Sequence, residues 1–223
     1  MGAVIGEILP LAVGIAISPI PIIAAILMLL SPRAKSAGVG FLVGWILGIV
    51  VAVVAFTLLS SVLPHGDPDA PQPVVGTIKI VLGALLLLLA VRQWRSRPHG
   101  GDEPPMPKWM AAIDTLTAWR ALALGFALAA INPKNLLMAV AGGVAVGSGA
   151  LAVGETVLTL AIFTVIAAST VAVPVIAYLA ASARMERPLD ALRHWLIHNN
   201  ATVMAVLLLL IGVMLIGKGI GVL

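Results

Sequence analysis

Residues 129–138 read AAINPKNLLM, two asparagines, a proline and a lysine inside a long apolar run. Such residues break helices and resist burial in hydrocarbon. The stretch is therefore either a loop between two helices or an interruption within one membrane span. The rest of the chain decides between these. Of 223 residues, 61% are hydrophobic and 10% charged, and the mean hydropathy is +1.14. A soluble domain is about a quarter charged, whereas helical runs of about 20 apolar residues match the hydrocarbon thickness of a bilayer. An all-α integral membrane protein is expected, with AAINPKNLLM well inside one of its spans.

Six apolar segments can be drawn, at about residues 4–30, 37–63, 74–91, 119–146, 156–181 and 201–220. They make one membrane domain over residues 1–223. The polar stretch RQWRSRPHGGDEPPMPKW at 92–109, rich in proline and glycine, reads as a loop. Ten of the thirteen basic residues follow spans one, three and five, among them Arg33, Lys35, Arg92, Arg95, Arg97, Arg184 and Arg187. The positive-inside rule makes those loops cytoplasmic and sets both termini outside. This distribution accounts for a formal charge of +4 and a pI near 10.0, so no nucleic-acid partner is implied. The first run lacks a basic leader and a small-residue cleavage site, and reads as a retained span. The absence of cysteine excludes thiol–disulfide electron transfer. Two segments, MPKWMAAIDTLTAW and RPLDALRHWLIHNN, read as short interfacial helices or extended entries into spans four and six. In the second, Leu189, Leu192, Trp195 and Leu196 would share one face.

An offset of 114 lays span one on span four. Ser18-Pro19-Ile20-Pro21 then falls on Asn132-Pro133-Lys134-Asn135, and Gly40 on Gly154. Gly83 and Gly212 also correspond once a longer fifth loop is allowed. Because span one enters from outside and span four from inside, the halves are expected to be inverted three-span repeats. Repeat one covers about residues 1–94, a cytoplasmic loop 95–118, and repeat two about 119–223. Transporters of this architecture bind substrate near the midplane, where paired spans are interrupted. A proline within a helix removes a backbone hydrogen bond and costs about 3 kcal/mol. In lipid the freed groups must be satisfied by protein or water. Ser18, Asn132 and Asn135 suit that task. Ordinary proline kinks are the plain alternative.

Lysine at a span centre costs roughly 2.5–3.5 kcal/mol and calls for a partner. None of the nine acidic residues lies at that depth: Glu7 and Glu155 sit near outer ends, and the others lie in loops. The partners left to Lys134 are broken-helix carbonyls, water or an anionic ligand. Half-helices starting at Pro21 and Pro133 would add a positive dipole end. The candidate binding residues are therefore Ser18, Pro19, Pro21, Asn132, Pro133, Lys134 and Asn135, for a carboxylate, phosphate or sulfate. The four histidines are spaced wrongly for a metal site. Without a nucleophile elbow or a P-loop, neither an enzymatic activity nor a cofactor is expected. Gly142, Gly143, Gly147 and Gly149 suit close helix packing, within or between protomers.

The paired proline blocks and six spans resemble the LysE superfamily of exporters. Within it, ISPIPIIAAILMLLSPRAKSAGVGFLVGW and PKWMAAIDTLTAWRALALGFALAAINPKNLLM resemble the GAP family of peptidoglycolipid- or sulfolipid-addressing proteins of actinobacteria. The resemblance implies a protein of the bacterial cytoplasmic membrane that moves a glycolipid towards the cell envelope. It also implies two alternatives: an exporter of amino acids or small anionic metabolites, and an accessory subunit of a larger lipid transporter. Homo-oligomers are compatible with each. This chain has SPIP in span one where amino-acid exporters show PGP, and so lacks the glycine that admits a small substrate to the backbone.

Overall fold

A computed structural model describes residues 1–62, 73–97, 113 and 116–223. Among these residues the chain is helical, without strands. The helices are α1 (Gly2–Ala16), α2 (Pro19–Leu29), α3 (Ala34–Ser61), α4 (Pro73–Arg95), α5 (Ala118–Ala130), α6 (Pro133–Gly147) and α7 (Val153–Ile220). Non-helical φ and ψ at Ala181 (−151° and 58°) interrupt the last, giving α7a (Val153–Ser182) and α7b (Arg184–Ile220). Helices α3, α4, α7a and α7b are each long and apolar enough to cross a membrane. The other four are shorter than about 20 residues and cannot cover the hydrocarbon alone. They join as bent pairs, α1 with α2 at 48° and α5 with α6 at 61°. The helices thus describe a multi-pass membrane protein.

Both bends fall at the proline blocks. In an unbroken helix the carbonyls of Ile15 and Ile17 would accept from residues 19 and 21, but both are proline and have no N–H. Proline is well tolerated at the first position of the next helix, and Pro19 and Pro133 occupy it in α2 and α6. AAINPKNLLM therefore interrupts one apolar run and restarts it.

Small residues bring the backbones together. Gly40, Gly44 and Gly48 line one face of α3 against α5. A Cβ at Gly40 or Gly44 would overlap the carbonyl oxygen of Ala118 or Leu122, and Gly125 lies equally close to the Phe41 carbonyl. Helices α4 and α7b meet in the same way, Gly76 on the Gly219 carbonyl and Gly83 on that of Gly212. Such contacts replace the hydrophobic drive that lipid does not supply between helices. Gly142, Gly143, Gly147 and Gly149 pack within the chain, on Phe163, Phe56, Thr57 and Val4 respectively.

One expected interfacial helix takes a different form. Residues 184–200 are the leading part of α7b, whose 37 residues extend about 55 Å and so overshoot the hydrocarbon. Leu189 and Leu196 are buried while Leu192 and Trp195 are exposed, so those four do not share one environment. The other segment, MPKWMAAIDTLTAW, lies mostly outside the described residues; its Ile113 is buried.

Candidate functional site

Ser18, Lys134 and Asn135 meet where α1, α2 and α6 converge. Lys134 Nζ donates to the Gly14 carbonyl (2.6 Å) and to Ser18 Oγ (2.5 Å). Ser18 Oγ donates in turn to Asn135 Oδ1 (2.9 Å), and Asn135 Nδ2 to the Leu128 carbonyl (2.9 Å). Ser18, Lys134 and Asn135 are 3%, 4% and 0% exposed, which closes the cluster to solvent in this state. The thioether of Met204, a weak acceptor, lies 3.8 Å from Nζ.

The broken helices explain these contacts. The Gly14 carbonyl would ordinarily accept from Ser18 N–H, which bonds Ile15 instead. The Leu128 carbonyl would ordinarily accept from Asn132 N–H, which bonds Ala127 instead. Both orphaned oxygens lie four residues before the residue that caps the next half-helix. Side chains of α6 satisfy both. A third, on Ala16, accepts from Thr170 Oγ1 of α7a (2.5 Å). Asn132 acts locally, its Oδ1 accepting from Lys134 N–H (3.1 Å) to cap α6.

Of the partners left open for Lys134, the broken-helix carbonyl is therefore present. Among the described residues no carboxylate pairs with this ammonium; the acid of α1, Glu7, bonds Lys79 (2.7 Å) and lies 4.0 Å from Lys218. The C-terminal end of α1, with its partial negative charge, faces Lys134 and offsets part of its charge. The half-helix N-termini offer less than expected. Pro19 and Pro21 carry no N–H and Ile22 N–H bonds Ser18, so Ile20 alone is left in the first turn of α2. In α6, Lys134 and Leu136 N–H both bond Asn132, which leaves Asn135.

The three prolines set the breaks and bring no polar atom to the cluster. Pro19 and Pro21 are buried, whereas Pro133 is exposed beside the 67%-exposed Ile131. The second break thus lies at the surface and sends Lys134 inward. Thr170, Met204 and the Gly14 and Leu128 carbonyls were not singled out from sequence. The two carbonyls could have been, because a capped break at residue n orphans the carbonyl at n−4.

No curated protein and no solved structure matches this chain. One family model does, that of Sap, the sulfolipid-1-addressing protein, over residues 8–221. With nearly the whole chain matched, this lipid-related membrane protein belongs to the sulfolipid-1-addressing protein family.

Proposed function

We propose that this protein moves an anionic glycolipid from the cytoplasmic membrane towards the cell envelope, with Lys134 as the headgroup-binding residue. The observation that carries the reading is a buried ammonium with dipoles but, among the described residues, no carboxylate around it. Gly14 and Ser18 hold it in the closed state. A sulfate, phosphate or carboxylate entering the cluster replaces those dipoles with a full negative charge, a stronger partner at low dielectric. Asn135 and Ser18 complete the donor set. The protein acts as a carrier, not an enzyme, in the bacterial inner membrane.

We take the fold as six spans in two inverted repeats, with both termini outside. Two observations support this. The bends at residues 16–19 and 130–133 fall at corresponding positions of the halves. Gly83 and Gly212 correspond in sequence and also touch one another, as residues on a two-fold axis do. Alternating access then amounts to rocking one repeat against the other, exposing Lys134 to each side in turn.

The test is reconstitution of the purified chain into liposomes that contain a fluorescent sulfated glycolipid. Lipid translocation by the chain alone supports the proposal. Efflux of loaded amino acids without lipid movement favours the exporter alternative, and inactivity in both assays favours the accessory one.

A further inference from the structure

A second feature lies at the end of the bundle that carries the arginines. A cavity of about 190 Å³ opens between α4 and α7b, lined by Ala90, Val91, Trp94 and Arg95 of the first and by Ala205 and Leu209 of the second. Ala90 and Ala205 continue the small-residue series of Gly83 and Gly212 one heptad further on. Val91, Trp94 and Leu209 are each about half exposed, so the groove faces the bilayer and not the interior. Its floor is apolar.

Its rim is not. Arg92 and Arg95 occupy the last turn of α4, and Arg97 stacks on the Trp94 ring with Cζ 3.2 Å from the centroid. Among the described residues none of the three pairs with a carboxylate. An apolar slot in the spanning region, ending in guanidinium groups at the surface, complements one kind of molecule. That molecule has an acyl chain and an anionic headgroup. Basic sites between spanning helices hold such headgroups, and arginine suits phosphate and sulfate through its forked donors.

We infer that this groove binds an anionic membrane lipid, its acyl chain between α4 and α7b and its headgroup on Arg95. The site is separate from the Lys134 cluster. Met204 faces Lys134, whereas Ala205, next in sequence, lines the groove, so the two occupy different faces of one turn of α7b. Lipid binding here does not require that the central cluster conduct lipid.

Tryptophan quenching tests the assignment on the full chain in phosphatidylcholine vesicles. Either phosphatidylglycerol or phosphatidylcholine carries brominated acyl chains, at equal mole fraction. The fluorescence lost on Trp94→Phe isolates the groove reporter. We expect this component to be quenched preferentially by brominated phosphatidylglycerol, by about fivefold for each arginine engaged. Arg95→Glu abolishes the preference, and Ala205→Phe, which fills the slot, reduces quenching by either lipid. Should these variants fail to fold, raised salt on the unaltered chain erodes the same preference. Equal quenching by the two lipids overturns the inference, as does a preference that survives both charge reversal and high salt.

Discussion

At the residue scale the decisive group is an ammonium held by a serine hydroxyl and a single carbonyl. Lys134→Met removes a buried charge and leaves Gly14 with an orphaned oxygen. These effects oppose, so stability should change by no more than about 1–3 kcal/mol, and the variant should fold. Thermal unfolding in detergent checks that, and lipid flux in liposomes should fall at least tenfold. Asn135→Leu removes no charge but leaves the Ser18 O–H and the Leu128 carbonyl without their partner, and should cost about 2 kcal/mol in the same melt. Glu7→Gln weakens the contact with Lys79, a residue 6% exposed. Breaking a buried pair costs roughly 3–5 kcal/mol, while replacing both partners with apolar residues is close to neutral. A stability series over Glu7→Gln and the Glu7→Leu/Lys79→Leu pair tests the ordering. Lys134 was legible in the sequence because every acidic residue could be assigned a depth. Of its acceptors, Ser18 was singled out and the Gly14 carbonyl could have been by the break rule, but that Lys134 reaches across from α6 to both appears only in the fold.

At the element scale, proline and glycine do different work. The proline blocks at 19–21 and at 133 break helices, and hydropathy with proline placement located both bends from the sequence. Pro174 and Pro188 lie inside α7 without ending it, while its break falls at Ala181, an alanine with no such signature. Hydropathy placed this break, since the fifth apolar run ends at 181, although no helix-breaking residue marks it. The glycine face at 40, 44 and 48 was legible only in part, because a small residue shows that close approach is possible but not which helix approaches. Gly44→Val should cost roughly 1–3 kcal/mol by overpacking α3 against α5. Gly217→Ala, where an added methyl meets nothing within 4 Å, should be neutral or stabilising by about 0.5–1 kcal/mol. Chemical denaturation in mixed micelles separates these outcomes.

At the scale of the whole molecule, the all-helical, multi-span character was readable from sequence, and the side of the basic loops is an expectation of the positive-inside rule. The junctions at 63–72 and 98–112 stand apart from the described residues, and pairing between distant helices appears only in three dimensions. Natural absence of cysteine makes topology directly measurable. Single cysteines at Gly2 and Gly221 should label from outside intact cells, and those at Ser36 and Ser96 only after permeabilisation. Labelling of Gly2 and Ser36 from the same side would refute the six-span arrangement.

The central claim is that Lys134 recognises negative charge on a lipid headgroup. The most direct measurement is the ratio of translocation rates for a sulfated glycolipid and its desulfated counterpart, in liposomes carrying unaltered or Lys134→Gln protein. The unaltered chain should favour the sulfated lipid. Lys134→Gln should bring the ratio close to one by slowing the sulfated lipid alone. A variant that keeps the full preference, with both lipids moving at unaltered rates, would contradict the account.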